Sequence, residues 1–97
     1  MAGRRKYFPY NKDGVRYDFT KVSAPGEPYA VHVDAVSNEK DEKGKPIMSS
    51  AVFEHEPDLG MFVVRGGTLD LHPIHRQMGV GVEMGKAVNN RYLRHMK

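Results

Sequence analysis

His72 and His75 stand three residues apart in the stretch HPIHRQMGVGVEMGK, and glycines follow at 79, 81 and 85 before Lys86. Two chemistries use such residues at close spacing. Three imidazoles and a water can make a catalytic zinc centre. Glycines ahead of a lysine can cradle a phosphate on backbone N–H groups.

A metal hydrolase would combine His72 and His75 with His32 or His55. Pro73, between the first two, favours an extended or turn geometry over a helix that sets both rings on one face. His32 alternates out of phase with Val31 and Val33, which directs it away from the apolar side of its strand. Glu54, His55 and Glu56 are strand neighbours and point to opposite faces. These spacings give no expectation of a native metal or cofactor.

The phosphate reading meets similar obstacles. A Walker loop would need glycine at position 80, which is Val80, and a hydroxyl residue at 87, which is Ala87. The dinucleotide fingerprint would need a small residue at Met84, and no parallel βαβ context surrounds it. The glycines are better explained as a junction where backbone approaches backbone. Ser49 and Ser50 fall on an expected strand, outside any nucleophile elbow. Nothing in the spacing pairs Glu54 with Asp70. The expectation is a protein that is not an enzyme and has no small-molecule substrate.

Charge is more suggestive. Residues 1–6 carry Arg4, Arg5 and Lys6, and residues 76–97 carry Arg76, Lys86, Arg91, Arg94 and Lys97 against Glu83 alone. The remaining seven basic and eleven acidic side chains make the middle of the chain acidic. Basic ends of this kind suit an anionic partner. The segment RRKYFPY mixes cations with aromatic rings, and rings can stack on unpaired bases while cations contact phosphates.

The leading expectation is a non-enzymatic binding or assembly module in a larger complex, of the small virion, phage-structural or ribonucleoprotein type. Arg4, Arg5 and Lys6 form its basic arm, Tyr7 and Phe8 its apolar anchors, and Lys86, Arg91 and Arg94 its basic helix face. Its partner would be another protein or further copies of itself. The alternative is direct nucleic-acid binding by the same residues, although no RNP motif, zinc finger or helix-turn-helix is present. A His-metal hydrolase at His72 and His75 is the third reading.

The elements that must position these residues follow from pattern and size. The chain of 97 residues makes one domain, with 39% hydrophobic and 28% charged residues and no cysteine. Disulfides, thiolate nucleophiles and cysteine-zinc sites are therefore excluded. No apolar run approaches the ~20 residues that span a bilayer, and the first ten residues do not read as a secretory signal. A cytoplasmic or virion-associated protein is expected.

Val15, Tyr17 and Phe19 alternate with polar residues, as do Tyr29, Val31, Val33 and Ala35. A type I turn from Asn11, with Gly14 at positive φ, would join the first of these strands to an edge strand over Lys6 to Tyr10. Ser37 to Pro46 reads as an exposed hairpin loop, and Ile47 to His55 as a strand. Gly66-Gly67 suggests a two-residue hairpin that would pair Phe62 with Leu71 and Val64 with Leu69. Met84, Val88, Tyr92 and Met96 form one helical stripe, with Leu93 off it. The expected fold is α+β: an antiparallel sheet of five to six strands over 7–72, a meander or half-open small barrel. A Gly-rich junction over 73–81 leads to one C-terminal helix over 82–97, packed on the sheet.

Overall fold

The computed structural model describes residues 10–96, with the side chain of His95 left aside. Among them, β1 (Tyr10–Lys12), β2 (Val15–Lys21), β3 (Ala30–Lys40), β4 (Pro46–Glu56) and β5 (Met61–Val64) form one antiparallel sheet. Strand order follows chain order, which makes the sheet a meander. A short helix α1 (Pro73–Gln77) leads into α2 (Val80–Tyr92), and a 3-10 turn over Leu93–Met96 follows.

The sheet curls around α2 into a half-barrel. Five strands laid flat would separate the two edges by about 19 Å, too far for one helix of about 10 Å to touch both. Yet α2 is bonded to each edge. Tyr10 of β1 donates its hydroxyl proton to Glu83 Oε2 at 2.7 Å, and Lys12 Nζ donates to Glu83 Oε1 at 3.1 Å. At the other edge, Asn89 Oδ1 accepts the Phe62 N–H at 2.7 Å, and Asn89 Nδ2 donates to Phe62 O at 3.2 Å.

Between the edges lies the core. Val15, Tyr17, Val31, Val33, Ala35, Ala51, Phe53 and Phe62 supply the sheet side. Val80, Met84, Val88 and Tyr92 supply the helix side; the last three belong to the expected stripe, whose fourth member, Met96, packs against the core only partly buried. Full burial of one such aliphatic or aromatic side chain contributes roughly 1.5–3 kcal/mol. The tilted rings of Tyr29, Phe62 and Tyr92 meet at centroid distances of 5.9 to 6.4 Å and fix one end of the core.

Several expected boundaries move. Lys12 pairs with Val15, so the first turn is the two-residue Asp13-Gly14 loop, with both φ angles positive at 53° and 79°. That is the turn whose twist matches a hairpin, and it replaces the expected type I turn. The expected first strand over 6–9 lies outside the described residues. β3 and β4 run into the stretch expected as loop and leave only a short turn after Asp41. There Asp41 Oδ1 accepts the N–H groups of Lys43 and Lys45 at 2.9 Å each.

The Gly66-Gly67 hairpin does not form. Arg65 N donates to Val52 O at 2.8 Å, continuing the β4–β5 ladder. The chain then bulges and returns to the same neighbour, with Asp70 and Ser50 exchanging bonds of 2.8 and 2.9 Å. The pairs Phe62/Leu71 and Val64/Leu69 are therefore absent. Thr68 explains why the bulge is tolerated: its hydroxyl oxygen accepts the Val52 N–H at 3.1 Å, a donor the ladder would otherwise leave idle.

The junction is also more regular than expected. Pro73 occupies the first turn of α1, where a missing N–H costs nothing, and His72 Nδ1 caps it by accepting the Ile74 N–H at 3.1 Å. Gly79 precedes α2 with φ 75°, a left-handed conformation that favours glycine. The helix starts at Val80, two residues before the expected Val82.

Candidate docking site

Arg4, Arg5, Lys6, Tyr7 and Phe8 lie outside the described residues. The three helix cations do not share one face. Arg91 lies toward β1 and β2, with its guanidinium 4.7 Å from the Phe19 ring centre and 6.0 Å from that of Tyr10. Lys86 and Arg94 are exposed, and Lys86 lines a hollow on the β5 side of the helix. Arg94 Nη2 donates to Asn90 O at 3.3 Å.

The two seams between helix and sheet differ in kind. Tyr10, Lys12, Glu83 and Arg91 close the β1 seam with hydrogen bonds and stacked rings. The hydrogen bond from Tyr10 holds the Glu83 carboxyl below its usual range, with Lys12 adding to the effect against partial burial. Tyr17 beneath it is pushed up to about 12, chiefly by burial. This seam is full.

The β5 seam is an open groove of about 790 Å³. Its strand wall carries Met61 and Val64, the bulge contributes Leu69, and the helix contributes Gly81, Val82 and Gly85. Val82 is 66% exposed and Leu69 49%, high values for apolar side chains beside a core. Both helix glycines have packing reasons: a Cβ at Gly81 would meet Leu71 Cδ1 at 3.0 Å, and one at Gly85 would touch the Phe53 ring at 3.5 Å. Leu93, off the core stripe, also lines this groove.

Asn89 holds the groove's inner end shut. Antiparallel alternation turns the peptide groups of Phe62 and Val64 to the outer edge of β5, and the Asn89 carboxamide satisfies those of Phe62 as a sixth strand would. Its Nδ2 also donates to Gly85 O at 2.9 Å. Asn89→Ala should lower stability by about 1–3 kcal/mol, the cost of stranding partly buried peptide groups. Faster amide exchange at Phe62 than at the β2–β3 ladder would accompany the loss; unchanged exchange there would refute this role.

A second polar cluster joins β4 to α1. Ser49 Oγ and His75 Nδ1 share a hydrogen bond of 2.7 Å, and Ser49 Oγ accepts the His72 N–H at 2.8 Å. Ser49 is 3% exposed and His75 0%. His75 Nε2 is buried without a hydrogen-bond partner among the described residues. Burial and then neighbouring His72 push the His75 pKa below its ordinary value. The pair has the residue types of a nucleophile and its base, and its bond ties α1 to β4. Pro73 does not keep His72 and His75 apart as expected: their ring centres are 6.2 Å apart. Among the described residues no three His, Asp or Glu side chains form a group suited to a metal ion. Glu54 bonds Arg65 Nε at 2.6 Å, while Asp70 stands opposite Ser50, about 13 Å further along β4.

No helix among the described residues is long and apolar enough to cross a membrane. Compared with protein-family models, curated proteins and solved structures, the chain matches none.

Proposed function

We propose that the protein is a non-enzymatic docking module, a small subunit that works within a larger assembly of virion or ribonucleoprotein type. The open apolar groove between β5 and α2 carries this reading. A small domain that leaves Met61, Val64, Leu69 and Val82 exposed along one seam has an interaction surface rather than a finished core. The basic arm (Arg4, Arg5, Lys6), with Tyr7 and Phe8, and the helix cations Lys86 and Arg94 supply long-range attraction. Arg91 is engaged by Phe19 and contributes less.

Affinity capture from the source organism tests it, using wild type, a chain lacking residues 1–6, and Val82→Asp. A defined partner set should be lost or thinned in both variants while circular dichroism stays unchanged. A partner set indifferent to both changes would defeat the reading. Direct nucleic-acid binding is the second reading, favoured by the RRKYFPY segment. It requires an affinity for oligonucleotides that falls steeply with salt, since each neutralised phosphate releases counterions.

A further inference from the structure

The groove's charge is one-sided, and this selects its occupant. Lys86, Asn90 and Arg94 follow one another at four-residue steps along the outer shoulder of α2 and the turn after it, all exposed. No described carboxylate lies within ion-pair distance of Lys86 or Arg94. Glu83, the one acidic residue of α2, is held at the opposite seam by Tyr10 and Lys12. None of the residues lining the groove is acidic.

Main-chain pairing is largely closed to a ligand. Asn89 already occupies the outward peptide groups of Phe62, so an added strand would find only those of Val64 along β5. Recognition then falls to side chains, the mode in which an amphipathic helix lays its apolar face in a groove. Resting on the docking reading above, we infer that this groove takes an amphipathic helix of a partner protein. The apolar face of that helix seats on Val64, Leu69 and Val82, and an acidic flank faces Lys86 and Arg94.

The other occupants fit less well. The chain's own arm would bring Arg4, Arg5 and Lys6 against the cationic shoulder. A second copy related by a two-fold axis presents the same patch, which has no carboxylate to offer Lys86. Unpaired bases would find no exposed ring, because Phe53 and Phe62 reach the groove from buried positions.

Amide-resolved NMR titration of the full chain tests this. The probes are a synthetic amphipathic helix with leucines on one face and glutamates on its flanks, its lysine-flanked counterpart, a peptide of residues 1–9, and a single-stranded oligonucleotide. The glutamate peptide should bind at least ~10-fold tighter than the lysine peptide, since electrostatic complementarity sets partner choice. Its shifts should gather at Met61 to Val64, Leu69 and Gly81 to Lys86. Lys86→Glu should invert the order of the two peptides, and Val82→Asp should abolish both, with the remaining amide spectrum unmoved.

Equal or absent binding of the two peptides would overturn the inference. So would groove shifts produced preferentially by the arm peptide, by the oligonucleotide, or by self-association seen in sedimentation. Peptide failure with the arm- and Val82-dependent capture intact would remove this occupant and leave the docking reading standing. Capture indifferent to both variants would remove the reading itself.

Discussion

Phe62→Ala should cost about 3–5 kcal/mol, the range for emptying a large buried aromatic site. Phe62 is 1% exposed although it sits on the last, four-residue strand of the sheet. Its ring packs against Tyr29, His55 and Tyr92 at centroid distances of 5.9, 5.3 and 6.4 Å. One side chain thus joins β4, β5, the β2–β3 loop and α2. The cavity left behind would be walled by rigid rings that cannot readily collapse into it. Total stability for a domain of this size is about 5–15 kcal/mol, so the substitution removes about a fifth of it at the least and all of it at the most. Urea unfolding gives the number. A loss below about 1 kcal/mol would mean that the ring cluster contributes little beyond ordinary surface contact.

Acid should destabilise the protein in two separate windows, the first governed by His75. Its folded pKa lies below the ordinary 6.5, because burial and His72 disfavour the charged ring. The unfolded chain therefore takes up a proton before the folded one does. Stability contributed by the neutral ring is fully present above 6.5 and falls as pH drops through that value toward the folded pKa. The limiting slope is about 1.4 kcal/mol per pH unit for one proton. The charged ring carries an N–H on both nitrogens, and Nε2 has no acceptor among the described residues. Glu83 acts in the same direction lower down: its folded pKa lies below 4.5, so its contribution is lost only as pH falls under that value.

His75→Asn separates the two windows, because its amide can take the place of Nδ1 beside Ser49 and does not titrate. Between about pH 7 and 5 the wild-type urea midpoint should fall and that of the variant should hold. Parallel decline of both proteins would remove His75 as the cause.

Much of the architecture was legible in local pattern. The alternation of Val15 with Tyr17, and of Val31, Val33 and Ala35, marks the buried face of two strands because side chains on a strand alternate between faces. Met84, Val88 and Tyr92 mark the helix stripe in the same way. Local pattern failed where a distant partner decided the outcome. Gly66-Gly67 has the chemistry of a hairpin turn, but the hydroxyl of Thr68 and the peptide of Asp70 found β4 instead.

The candidate site was legible only in fragments. Charge counting grouped Lys86, Arg91 and Arg94, yet Arg91 turns to the opposite seam and stacks on Phe19. The groove arises from two elements brought together by the fold, so no single window contains it. Its traces were Leu93, off the core stripe, and the glycines at 81 and 85. The Ser49–His75 bond spans 26 positions and had no trace beyond two polar residues in apolar surroundings.

The helix that both sheet edges grip is also the last of these elements to be synthesised. Tyr10 and Glu83, which join the two ends of the fold, are 73 positions apart. During translation the curved sheet therefore emerges before its cover, with Val31, Val33, Phe53 and Phe62 facing water. A nascent chain stalled ahead of Val80 would be an open apolar trough, the kind of species that associates before it can fold. On this account α2 protects its own chain from aggregation, and truncations that remove it should be found in inclusion bodies or in the hands of chaperones.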